Sequence, residues 1–96
     1  MEQKIQLKHP AGKNAVRIDK GKYDIMKKAL IKCLKKGVES THTEILRSII
    51  QDFKKDKTKF EGSIEWYMES VKLDLEAGKI IERISDQSPQ KFRLAK

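Results

Sequence analysis

The chain has 96 residues, 38% hydrophobic and another 38% charged, which bounds it to one domain around one modest core. No apolar run approaches a membrane span, the N-terminus MEQKIQLK lacks a signal peptide's apolar stretch, and the lone Cys33 excludes an intramolecular disulfide. The net charge of +8 points to an anionic partner, nucleic acid first, although 18 of the 22 basic residues are lysines and arginine is the usual reader of guanine edges. A cytoplasmic protein with no membrane association is expected.

Residues 4–18 read as a β-rich arm. Ile5 and Leu7 alternate with polar neighbours, as do Val16 and Ile18, and His9-Pro10-Ala11-Gly12-Lys13-Asn14 supplies turn residues between them. Gly12-Lys13 is not a phosphate loop. That motif needs glycine where Leu7 sits, and Ser or Thr where Asn14 sits.

A first helix is predicted over residues 20–36, capped by Asp19 and stopped by Gly37. Tyr23, Met26, Leu30, Cys33 and Leu34 make its buried stripe, so Cys33 reads as a core thiol. Residues 20–36 carry +6, a solvated lysine face. Val38–Ser40 suits one short strand. Thr41-His42-Thr43-Glu44 is a capping box opening a second helix over 42–55, with Ile45, Leu46, Ile49, Ile50 and Phe53 as its apolar face.

The connection Lys54–Gly62 is lysine-rich, and Phe60 is placed to anchor it on the core. A third helix over 63–77, capped by Gly62 or Ser63 and stopped by Gly78, has two apolar stripes. Ile64, Tyr67, Met68, Val71 and Leu75 form the core stripe; Trp66, Leu73 and Ala77 lie nearly opposite. Strands at 80–84 and 91–94 follow, around the loose tip Ser85–Gln90.

Three helices followed by a C-terminal hairpin is the order of a winged helix. The expected fold is therefore α+β, mainly α: a β-rich arm at 1–19 and a winged-helix domain at 20–96, in a single folded unit. Its core is expected around Leu30, Leu34, Leu46, Ile49, Ile50, Val71 and Leu75.

No spacing of residues suggests catalysis, a metal site or a cofactor, and no enzyme is expected. The carboxylates Glu65, Glu69, Asp74 and Glu76 are spaced as a solvated flank. With Lys72 they leave residues 63–77 at −3, which opposes entry of this helix into a DNA groove. Weak, phosphate-directed binding of double-stranded DNA is expected instead, through Lys54, Lys55, Lys57, Lys59, Arg83, Lys91 and Arg93. The alternative is a protein-interaction or dimerisation module using Trp66 and Leu73. Either the arm covers Trp66 through Ile5, Leu7, Val16 or Ile18, or a second copy does.

Several segments resemble a small bacterial family of uncharacterised winged-helix-like proteins: His9–Lys13, Val16–Asp19, Lys22-Tyr23, Trp66-Tyr67, Val71–Ala77 and Ile81–Arg83. The resemblance runs from about His9 to Leu94 and is strongest over Val71–Ala77. It implies the fold and carries no activity, ligand or catalytic residue. The chain departs from the family at Lys54–Lys59, where it is richer in lysine.

Overall fold

A computed structural model describes residues 3–35, 38–84 and 89–95. Three helices and two small antiparallel sheets make an α+β fold. The order is β1 (Lys4–Lys8), β2 (Asn14–Asp19), α1 (Lys20–Cys33), β3 (Ser40–Thr41), α2 (His42–Lys55), α3 (Ile64–Ala77), β4 (Ile81–Ile84) and β5 (Lys91–Leu94).

The arm is a β1–β2 hairpin, with Ile5 opposite Ile18 and an irregularity between Gln6 and Lys8. Gly12 takes the left-handed conformation the turn requires, at φ 85°. Leu7 and Ile18 are buried with the helices in one shared core, whereas Val16 is exposed. The second sheet runs β3-β5-β4, with Ser40 opposite Phe92 and Arg83 opposite Phe92 from the other side.

All three helices start where their side chains can cap them. Asp19, Thr41 and Ser63 accept from the amides of Lys22, Glu44 and Trp66. At α2 the box is reciprocal: Glu44 Oε1 accepts the Thr41 amide at 2.8 Å. Those hydrogen bonds hold the Glu44 carboxyl below its usual range.

α2 and α3 end where expected, at Lys55 and Ala77, and α1 does not. α1 stops at Cys33, because Leu34 closes the last turn onto the Leu30 carbonyl and its side chain is buried. The expected stop at Lys36 and Gly37 lies outside the described residues, as does most of the wing tip, Ser85–Ser88. Cys33 is half-buried, and burial pushes its thiol pKa up. At the end of α3 Gly78 keeps a right-handed φ of −82°, and Lys79 takes the left-handed position at φ 61°. Ile80 then donates to the Leu75 carbonyl, closing the same double-bonded turn that ends α2.

The inner face of α2 is rotated from the expected one. Ile45, Ile49 and Phe53 are buried; Leu46 and Ile50, expected in the core, are half-buried flanks. Spacing by three and four admits both rows, and packing against α1 and α3 selects the first. Of the other expected core residues, Leu30, Leu34, Val71 and Leu75 are buried. Among the described residues no helix is long and apolar enough to cross a membrane.

Candidate nucleic-acid interface

The lysine-rich connection begins as the end of α2. Lys57 donates to the Lys54 carbonyl and Thr58 to that of Phe53, so Lys57 occupies the left-handed position at φ 53°. Glycine is the default there. A lysine costs about 1 kcal/mol more, so this side chain is held at an exposed corner against local preference. Lys54, Lys55, Lys57 and Lys59 are all exposed, and among the described residues none is paired with a carboxylate.

Beyond the lysines the chain is pinned by aromatics. Phe60 stacks on Phe53 at 5.5 Å and meets Tyr67 edge-on at 5.2 Å. Gly62 has φ 98°, and a Cβ there would lie 2.9 Å from the Tyr67 ring, so only glycine lets the chain pass. The Lys22 ammonium lies 4.9 Å from the Tyr67 ring centroid. Tyr67, expected in the core, is therefore half-buried between the core and Trp66.

Trp66 follows on the first turn of α3 and is 46% exposed. The arm does not bury it. Leu7 and Ile18 turn into the shared core instead, and the arm's tip reaches the other end of α3. There His9, Pro10 and Leu73 border an open cavity of about 660 Å³, leaving Leu73 half-buried. Sequence spacing put Trp66 and Leu73 on one stripe; the arm separates their surroundings.

Of the other expected phosphate contacts, Arg83 and Arg93 are already engaged. Arg83 donates to both oxygens of Glu76, at 3.0 and 3.4 Å, and the Glu76 side chain is only 7% exposed. Arg93 donates to Glu82 and, at 3.4 Å, to Glu39. Lys91 is half-buried opposite Thr41. Lys54 and Lys57 border one groove, and the two arginines of the β4–β5 hairpin are tied to carboxylates.

Two of the carboxylates of α3, Asp74 and Glu76, are not a solvated flank, whereas the side chains of Glu65 and Glu69 are exposed. Asp74 accepts from the Tyr23 hydroxyl at 2.7 Å and from the Lys8 amide at 2.8 Å, joining α3 to α1 and to the arm. Burial, and then the Asp74 carboxylate, push the Tyr23 phenol pKa up. Glu65 and Glu69 each lie 3.2 Å from a ring nitrogen of His42. Lys72 and Arg83 thus answer part of the acidity of α3 within the fold.

Lys72 is the feature that composition hid. Its side chain is 2% exposed, with the ammonium 3.8 Å from the Phe92 ring centroid and 3.7 Å from Glu69. It lies 3.2 Å from His42 Nδ1, the ring nitrogen that Glu69 also approaches. Burial pushes the Lys72 pKa down, with Glu69 opposing. The unfolded chain then holds the proton more tightly than the folded one. The penalty is complete below the folded pKa and is relieved as pH rises toward lysine's ordinary value, near about 10.4. Lys72→Met, which keeps the volume and removes the charge, should leave stability at pH 7 unchanged or raise it by about 1–2 kcal/mol. The difference from the parent should shrink as pH approaches about 10. Urea unfolding of both proteins at pH 7 and on the alkaline side measures it. A loss of more than about 2 kcal/mol at pH 7 would show the ammonium to be a net stabiliser.

No curated protein and no solved structure matches the chain. One family model matches residues 4–92, nearly all of it, and covers the arm, all three helices, β4 and the start of β5. The chain belongs to that family, a family of unknown function (DUF6958).

Proposed function

We propose that the chain is a winged-helix protein that binds DNA weakly and with little sequence preference, holding phosphates with the lysines of the α2–α3 connection. The helix order, the short strand before α2 and the C-terminal hairpin beside it support the winged-helix reading. The observation that carries the binding surface is the set of four exposed lysines, unpaired among the described residues, on one turn. α3 begins directly after that turn, so the positive end of its dipole lies at the same end of the molecule. The Arg83 and Arg93 ion pairs shift the proposed contact from the wing to the loop.

Four phosphates neutralised on duplex DNA give a fall of log K with log salt of about −3 to −4. Replacing Lys54, Lys55, Lys57 and Lys59 by glutamine should bring that slope close to zero and remove most of the affinity at low salt. Fluorescence anisotropy with a labelled duplex over a salt series reads both. An unchanged slope would take the loop out of the interface.

The exposure of Trp66 favours a second reading, a docking site for a protein partner or a second copy. Sedimentation over a range of concentrations discriminates: a dimer that Trp66→Ala dissociates supports it.

A further inference from the structure

We infer that Trp66 is a stacking residue for an unpaired base, so that the surface takes single-stranded nucleic acid in preference to a duplex. The inference rests on the phosphate-directed reading above and adds the base to it.

Trp66 is the chain's only tryptophan, and it stands at the outer end of a run of four aromatic rings. Phe53 is in the core, Phe60 stacks on it, Tyr67 meets Phe60 at 82°, and Trp66 meets Tyr67 at 84° and 4.9 Å. The indole is therefore braced from within while the residue stays 46% exposed. A braced, half-open aromatic loses little conformational freedom when a flat ring lies on it.

Cations lie along the same run: the Lys22 ammonium is 4.9 Å from the centroid of the Tyr67 ring that Trp66 meets. Lys54 and Lys57 border an open groove of about 300 Å³ whose other walls include Phe60, two rings along the aromatic run from Trp66. A strand following this groove sets its phosphates on the lysines and turns a base onto the indole. That pairing of a basic track with an aromatic platform is how single strands are held without sequence preference. A duplex keeps its bases inside the stack and offers Trp66 only backbone. A second copy of this chain fits less well: it would bring the same unpaired lysines, on a chain of net charge +8, against themselves.

The test uses the full chain, a mixed-sequence DNA strand of about 12 nucleotides and the duplex of the same sequence, at low salt. The sole tryptophan makes its own fluorescence the reporter. Expected are tighter binding of the strand than of the duplex and quenching of Trp66 as the strand saturates. Trp66→Ala should weaken strand binding roughly five- to a hundredfold and leave duplex binding unchanged, while Trp66→Phe keeps most of the affinity. Circular dichroism of both variants checks that they fold, and the phenylalanine variant carries the test if the alanine one does not. Equal strand and duplex affinities, fluorescence unmoved at saturation, or full strand affinity in Trp66→Ala would each overturn the inference. If any of these occurs while the four-glutamine variant still loses binding, stacking fails and the phosphate reading stands. No binding of either probe overturns both. Oligoglutamate bound as tightly as the strand would replace the base with an acidic peptide and overturn the inference.

Discussion

Leu75→Ala is expected to lower the unfolding free energy by about 2–5 kcal/mol. Leu75 lies on the inner face of α3, almost fully enclosed in the cluster that also holds Leu7, Leu30, Val71 and Ile81. α3 packs against α1, α2, both strands of the arm and β4, so a void beneath it touches nearly every element. Its carbonyl also receives the Ile80 amide that turns the chain into β4, which limits how far the backbone can collapse into the void. For a domain of this size each kcal/mol moves Tm by about 4–8 °C, so a fall of at least about 10 °C is expected in a thermal scan. A change under about 1 kcal/mol would show that α3 is not the centre of the core.

Asp74→Ala should cost about 2–4 kcal/mol although it removes no apolar contact of the core. The Tyr23 hydroxyl is left without its acceptor in a side chain that is 7% exposed, and the Lys8 amide loses its bond to α3. Bonds to an ionised carboxylate are among the stronger ones, and the part-buried Tyr23 hydroxyl loses its acceptor. Asp74→Asn keeps the shape and one acceptor and should lose about half as much. A cycle with Tyr23→Phe isolates the pair: once the hydroxyl is gone, Asp74→Ala should be milder by about 1–2 kcal/mol. Urea unfolding measures all four proteins. An effect below about 0.5 kcal/mol would return Asp74 to an ordinary surface position.

What the sequence showed were features encoded within a few residues. Asp19, Thr41 with Glu44, and Ser63 each act on an amide three positions on, so the helix starts were legible. The strands of the arm and hairpin were legible from alternation. The ends of α2 and α3 were legible as well, whereas that of α1 was not, because Leu34 closes its last turn without a local stop signal. The roles of Asp74, Lys72 and Arg83 were not legible from spacing. Asp74 meets partners 51 and 66 residues away, and Lys72 meets His42 across 30. A carboxylate on a helix flank looks the same in sequence whether water or a distant tyrosine faces it. The one available signal was the arithmetic of α3: four carboxylates and one lysine on a helix with two apolar stripes require partners from elsewhere in the chain. The loop lysines were visible in the sequence as a local excess of charge. Their distinction from Arg83 and Arg93 came only with the ion pairs.

Chemical-shift mapping of the labelled protein with a short DNA probe, at low and at moderate salt, tests the binding surface most directly. Shifts should concentrate on Lys54–Lys59 and on the start of α3 through Tyr67, and should fade as salt rises. Arg83, Arg93 and the Glu69–Ala77 stretch of α3 should stay still. Shifts centred on that stretch, or no salt-sensitive shifts at the lysine turn, would contradict phosphate-directed binding through the α2–α3 connection.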